Sequence, residues 1–358
     1  MARLSPTTQR LVALLQRYPR RQIGELLLHQ TDAEQALLDG SLDDLLAATL
    51  QAQAPPNAGK IGLSALLSSI ANFDGNVVGW FDEEYPAVWR HIPDPPLTFY
   101  IRGAALTDLS AAGQLFAVVG SRRASEYGRR TATEIATCLA QHGAIVVSGL
   151  AYGIDIAAHR GAVAVSGPTV AILGGGLSKV YPAAHRRDAQ QVLRTGGSLV
   201  SEYAPTATAR PYHFLERNRL ISGLSAAVVV VEAAHRSGAL NTARTALEQG
   251  REVWAVPGSI HNPQAAGCHQ LISQGAQVVT HPGCLLDQPQ ATTVAQPEGA
   301  LAQQVVALCL SAPMEIEQLM LGLSPTPEYL QLVSLLTDLE LDGFVQSTTL
   351  GYIATSKK

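Results

Sequence analysis

The residues from Phe116 to Gly128, FAVVGSRRASEYG, put a hydroxyl and two guanidinium groups on one glycine turn. An apolar run ends at Gly120-Ser121-Arg122-Arg123. From Gly128 to His142 the apolar and small residues Ala132, Ile135, Ala136 and Leu139 recur at helical spacing. Strand, glycine turn and helix together aim backbone N–H groups and a helix N-terminus at an anion. The chemistry predicted is phosphate binding. Three more junctions repeat the pattern: SGLAYGIDIAAH (148–159), Gly174-Gly175-Gly176 followed by Lys179, and VVVVEAAHRSGALNTA (228–243), where Ser237 and Gly238 open a helix. One glycine turn after a strand says little. Four of them, three with a basic residue in or beside the loop, point to a shared polyanion site.

The segment HFLERNRLISGLS (213–225) sets Arg217-Asn218-Arg219 ahead of an apolar helix or turn and close to His213 and Phe214. Charge beside flat rings suits single-stranded nucleic acid, where phosphate contact and base stacking share the binding. The same arginines could instead pair with Glu202 or Glu216 and tighten the domain, and the sequence leaves open which one does. Asp155 and His159, one helical turn apart, read as an acid–base pair or as a structural pair at a helix start. Glu232 reads as a strand-end residue binding neighbouring amides or as a ligand.

Other chemistries lack their signatures. There is no GxGxxG with a following acid, no Walker A spacing around Lys179, no GxSxG or HExxH, and no carboxylate pair beside a phosphate loop. Cys138, Cys268, Cys284 and Cys309 are scattered without a CxxC or other metal-ligand spacing, as for reduced thiols in a cytoplasmic protein. Neither a metal nor a cofactor is expected.

The elements that must position these residues alternate. Short, nearly all-apolar runs at 116–120, 144–148, 169–173, 198–201, 227–231, 252–256 and 276–280 read as strands buried on both faces. Helical spacing at 128–142, 153–165, 184–194, 239–249 and 266–274 fills most of the gaps. This predicts a doubly wound, mostly parallel α/β sheet over 115–286, with ligands at the carboxyl ends of its strands. Residues 1–75 read as a helical module. Residues 76–114, with a proline cluster ahead of a strand at Leu97–Ile101, read as a segment wrapping onto the core. A polar linker is expected at 287–299. Residues 300–358 give three helical patterns and a hairpin-like pair, the plan of a winged helix.

At 358 residues the chain has room for two or three domains, and 47% hydrophobic with 15% charged residues is an ordinary globular balance. No apolar run approaches the ~20 residues of a bilayer span, so no membrane insertion is expected. The net charge of −4 is unevenly spread. Residues 1–114 hold 8 Lys+Arg against 12 Asp+Glu, residues 115–285 hold 15 against 9, and residues 286–358 hold 2 against 8. Lys179 is the only lysine of the central excess. Arginine suits bidentate phosphate contact and stacking, so the polyanion belongs to the middle of the chain. The predicted helix 327–341 carries Glu328, Asp338 and Glu340 and no Lys or Arg. It reads as a surface for protein contact, since it would repel a duplex groove.

Taken in order, EEYPAVWRHIPDPPLTFYIRG (83–103), VVGSRRASEYG, SGLAYGIDIAAH, GGGLSKVYP (174–182), SEY (201–203), HFLERNRLISGLS, VVVVEAAHRSGALNTA, GREVWAVPG (250–258) and GCHQLISQGA (267–276) resemble the DNA-processing protein A family (DprA, or Smf). The resemblance runs through roughly 83–285. It departs at Ala239 and Asn241, where the family commonly has SGSLITA. It implies an extended Rossmann-like domain flanked by a sterile-alpha-motif-like (SAM-like) and a winged-helix-like module. It also implies single-stranded DNA binding without cleavage, dimerisation through the Rossmann-like domain, and delivery of DNA to the RecA recombinase in natural transformation. Gly120, Ser121 and Arg122 match the family's GSR phosphate motif. Arg123, Lys179, Arg217, Asn218, Arg219, Ser237 and Gly238 are expected on the same pocket.

A second reading is a nucleotide-processing enzyme of the lysine-decarboxylase-like phosphoribohydrolase group, which has a similar fold. Those enzymes carry a PGGxGTxxE loop. Here Ser237-Gly238-Ala239-Leu240-Asn241-Thr242 is followed by Ala243, Arg244 and Thr245, without the acid. A third reading is a scaffold whose acidic ends dock partners.

Overall fold

The seven apolar runs of the central region and two strands ahead of it hydrogen-bond into one nine-stranded sheet in the computed structural model. It describes residues 4–29, 32–42, 46, 63–286, 299–309, 314–323, 327–341, 344–348 and 351–354. The strands are β1 (Asn76–Gly79), β2 (Thr98–Gly103), β3 (Leu115–Val119), β4 (Ile145–Ser148), β5 (Thr169–Ile172), β6 (Ser198–Ser201), β7 (Ala227–Val230), β8 (Glu252–Ala255) and β9 (Gln277–Val278). Their order is β1-β2-β6-β5-β4-β3-β7-β8-β9. From β6 to β9 every pair is parallel; β1 with β2 and β2 with β6 are antiparallel.

Every residue of β3, β4, β5, β6 and β7 is buried, which is why these strands read as short, mostly apolar runs without alternation. Helices cover both faces: α7 (Glu126–Gln141), α8 (Ile154–Ala164), α9 (Arg186–Arg194), α10 (Pro211–Leu224), α11 (Gly238–Glu248) and α12 (Ala266–Ser273). Five of them match the expected helical segments to within about two residues, the usual uncertainty of a helix end. The exception is α10. It runs through Arg217-Asn218-Arg219, which the sequence placed ahead of a helix or turn. Residues Arg217 to Leu224 of this helix are all buried, so no polar face marks it as a surface helix.

The segment 76–114 does more than wrap. Its β1 and β2 extend the sheet, and Trp89, in α5 (Ala87–Arg90), is fully buried against Phe99 and Tyr85. The Trp89 indole N–H donates to the Leu220 carbonyl of α10 at 3.2 Å. A helix α6 (Leu106–Ala112) then leads into β3.

Ahead of the sheet come α1 (Pro6–Arg17), α2 (Arg20–His29), α3 (Ala33–Asp39) and α4 (Leu63–Ala71). Ser5, capping α1, and Thr8 donate to the Asp82 carboxylate at 2.6 and 2.7 Å, which ties these helices to the core. Within the helical module expected at 1–75, residues 47–62 lie outside the described residues.

The chain divides into two compact units, Met1–Leu285 and Leu286–Lys358. The second contains α13 (Ala300–Cys309), α14 (Ile316–Gly322), α15 (Tyr329–Leu341) and an antiparallel hairpin of β10 (Val345–Thr348) and β11 (Gly351–Ala354). Val305, Leu319, Leu332, Leu336 and Phe344 form its core. Of the linker expected at 287–299, Gly299 alone is described. Among the described residues no helix is long and apolar enough to cross a membrane.

Candidate nucleic-acid interface

The chain runs outward from β3 through β4 and β5 to β6, then returns to place β7 on the other side of β3. The loops after β3 and β7 therefore diverge, and a crevice opens at the carboxyl ends of the strands. A cleft of about 510 Å³ occupies this place. Gly120 to Arg123 line it from the β3 loop, Ser237 and Gly238 from the β7 loop, and Asp155 from the start of α8. A further wall is α10, through Phe214, Arg217 and Asn218.

The β3 loop is fixed by its backbone. Ser121 donates its N–H to the Glu232 carbonyl at 2.6 Å, and Ile154 donates to the Ser121 carbonyl at 3.2 Å. Gly153 has φ of 79°, and a Cβ there would collide with the Ser121 carbonyl, so glycine is required for conformation and for space. The Glu232 side chain, 1% exposed, accepts from the Ser125 N–H and hydroxyl at 2.8 and 2.6 Å. Of its two sequence readings, the geometry is that of a strand-end residue binding a neighbouring amide. Ser125 in turn caps α7 by accepting from the Gly128 N–H at 3.0 Å.

On this frame Arg122 and Arg123 are exposed. The Arg122 guanidinium carbon lies 4.7 Å from the centroid of the Phe214 ring, a cation–π contact that holds the side chain at the mouth of the cleft. Phe214 meets the ring of Tyr181 at 5.7 Å. Tyr181 is 54% exposed, so a flat apolar surface continues beyond the cleft. An arginine over one ring with a second ring beside it can grip a phosphate and stack a base at once.

Arg217 lies at the floor of the cleft and is 3% exposed. It donates to the carbonyls of Gly149, at 2.9 Å, and Ile172, at the ends of β4 and β5. A Cβ on Gly149 would collide with this guanidinium. Burial pulls the Arg217 pKa down to about 10, opposed by the Asp155 charge, so the group remains cationic at neutral pH. Asp155 is raised by burial, opposed by Arg217 and by the Ala151 N–H. The Asp155 and His159 of the sequence analysis form no hydrogen bond with each other among those described. His159 is fully buried and faces Thr169 instead, Nδ1 to Oγ1 at 2.9 Å. Asn218 donates to the Gly238 carbonyl at 3.3 Å and ties α10 to the first turn of α11.

Two expected site residues stand elsewhere. Arg219 points away from the cleft. Its guanidinium grips both oxygens of Glu202 at 2.8 Å, and Arg20 of α2 reaches the same carboxylate at 2.9 Å. Asp94 completes the cluster, 3.1 Å from Arg219 and 2.5 Å from Arg20. A helix turns ~100° per residue, so Arg217 and Arg219, two positions apart, face nearly opposite sides of α10. Lys179 is exposed on the loop after β5 and does not line the cleft. Sequence reasoning passed over Gln264, which lines the cleft from the loop after β8, and Tyr181 beside it. The glycine and proline of GREVWAVPG mark that loop as a turn, but nothing in them shows that it folds back to the β3 side.

A family model described as DNA recombination-mediator protein A matches residues 76–289. Protein Smf of Escherichia coli is 41% identical over 288 residues, 76% of this chain and 75% of that one. The DNA processing protein DprA of Streptococcus pneumoniae is 36% identical over 260 residues, 73% of this chain and 90% of that one. The X-ray structure of the S. pneumoniae protein aligns over 80% of this chain and 99% of its own, with 32% identity and a TM-score of 0.67. A structure describing the single-stranded DNA binding mode of the Helicobacter pylori DNA processing protein A aligns over 60% and 95%, with 27% identity and a TM-score of 0.54. The family model covers more than half of the chain and the relatives are matched along most of their length, so the chain belongs to the DNA recombination-mediator protein A family.

Proposed function

We propose that the chain is a non-catalytic single-stranded DNA-binding recombination mediator acting in the cytoplasm. In this reading it protects incoming single-stranded DNA and loads the RecA recombinase during natural transformation, working as a homodimer through its Rossmann-like domain. The observation that carries the reading is the exposed Arg122 held over Phe214 at the mouth of the cleft. Gly120-Ser121-Arg122 clamps a backbone phosphate, assisted by Arg123 and the Ser237–Gly238 turn, and a base stacks on Phe214 or Tyr181. Arg217 and Asn218 serve by shaping the floor. The N-terminal module (1–75) and the winged-helix-like module (300–358) serve protein contacts.

Titration with single- and double-stranded oligonucleotides at two salt concentrations tests this. Single strands bind regardless of sequence, and affinity falls steeply with salt. Equal affinity for the duplex overturns it. RecA filament formation on single strands, with and without the protein, tests the loading role.

The hydrolytic alternative has a weaker base. Asp155 is the carboxylate among the described cleft residues, and it is held against Arg217 and the Ala151 amide. Release of free base from nucleoside monophosphates would establish that alternative.

A further inference from the structure

The carboxyl edge of the sheet continues past the cleft on the β4–β5 side, and there rings and unpaired cations crowd its surface. Tyr181, whose ring meets Phe214, leads through Pro182 into a 3-10 turn at Ala183–His185. His185 is buried, with Nδ1 2.8 Å from the Leu150 carbonyl, so this turn is fastened to the loop after β4. On that loop Tyr152 rests edge-on against the His185 ring at 4.7 Å while remaining 50% exposed. The stacking surface of Phe214 and Tyr181 thus extends to a third half-exposed ring on the next strand's loop.

Positive charge sits on the loop after β5 and on the helix that follows it. Arg186 and Arg187 begin α9, are exposed, and form no ion pair among the described residues. Asp188, the acid of that first turn, is occupied by Arg160 through bonds of 2.7 and 3.2 Å. Lys179, on the same β5 loop as Tyr181, is also exposed and without an ion pair among the described residues. Each tyrosine leaves about half of its surface in water, and the three cations on the β5 loop and helix have no ion pair among the described residues, so neither the exposed rings nor the charges are used up by the fold. Stacked, paired bases in a duplex offer such rings no free face, whereas an unpaired strand offers both bases and phosphates.

We propose that a single DNA strand seated in the cleft leaves it over Tyr181 and runs along this strip, with bases against Tyr181 and Tyr152 and phosphates against Lys179, Arg186 and Arg187. The inference rests on the reading of the cleft as the single-strand site.

The test compares two oligothymidylates on the full chain across a range of salt, one of about four nucleotides and one of about twelve, lengths within the usual span of single-strand sites. In the variant Tyr152→Ala/Arg186→Ala/Arg187→Ala, the short strand binds as in the unaltered protein. The long strand binds about 10-fold more weakly, and its log–log salt slope is shallower by about 1.4, the loss of two phosphate contacts. Because Tyr152 packs on His185, Arg186→Ala/Arg187→Ala is measured separately and gives the same change of slope with the ring contact intact. Unchanged long-strand binding, or equal weakening of both strands, overturns the strip. Arg122→Ala separates the two readings. It weakens both strands if the cleft is the site, and if it weakens neither, the cleft reading fails whatever the strip variants show.

Discussion

The Arg122 guanidinium packs over the ring of Phe214 at 4.7 Å, joining the loop after β3 to a helix about ninety residues later in the chain. The contact keeps a guanidinium and a flat ring in one place before any ligand arrives, so under the proposed function less side-chain freedom remains to be lost on binding.

Arg122→Ala therefore weakens single-stranded DNA binding for every sequence alike and makes the log–log salt slope shallower by about 0.7, one phosphate. Phe214→Ala costs about 1–3 kcal/mol of binding, the usual worth of one stacked base. The double variant loses less than the two single losses combined, because each removes the other's partner. Fluorescence titration of the three variants measures this directly.

Arg219→Ala acts on the fold. It leaves Glu202 and Asp94 with Arg20 alone in a mostly buried cluster, and one-sided loss of a buried pair costs about 3 kcal/mol. Urea unfolding should show this loss, with a smaller one for the more exposed Arg20→Ala. An unfolding midpoint equal to that of the unaltered protein would return Arg219 to the list of DNA contacts.

His159 sets an acid limit. Burial lowers its pKa from 6.5 to about 3. Thr169 donates its hydroxyl hydrogen to the Val146 carbonyl, so His159 must donate from Nδ1, and its Nε2 is left buried without a partner. Between pH 6.5 and 3 the unfolded chain takes up a proton that the folded chain refuses. Stability is full above pH 6.5 and falls below it by up to about 1.4 kcal/mol per pH unit. Asp155, raised by burial, works in the opposite sense by binding its proton more readily when folded. His159→Gln flattens the decline, as read from unfolding at about pH 7 and about pH 5.

Two glycines, Gly153 beneath the β3 loop and Gly238 lining the cleft, separate by their surroundings. Gly153→Ala places a side chain at φ of 79° and against the Ser121 carbonyl, and loses at least about 2 kcal/mol. Gly238→Ala meets nothing within 4 Å at the first position of α11, and changes stability by less than about 1 kcal/mol. Thermal unfolding ranks the pair.

By itself the sequence determined the alternation of strands and helices, the doubly wound sheet, and the glycine loops at the strand ends. Those features are local: an all-apolar run, a glycine turn and a capping serine announce themselves within a few residues. It missed β1, since Asn76–Gly79 is too short to show a period, and it read past α10, whose buried polar residues hide its face. What only the tertiary structure decided was the fate of each charge. Arg217 and Arg219 stand two positions apart in the same motif. Helical rotation sends one under the Gly149 carbonyl and the other to Glu202, and no local pattern records which acid or carbonyl waits on each side. The contact between Arg122 and Phe214 is likewise a product of the crossover that brings α10 back across the carboxyl ends of the strands.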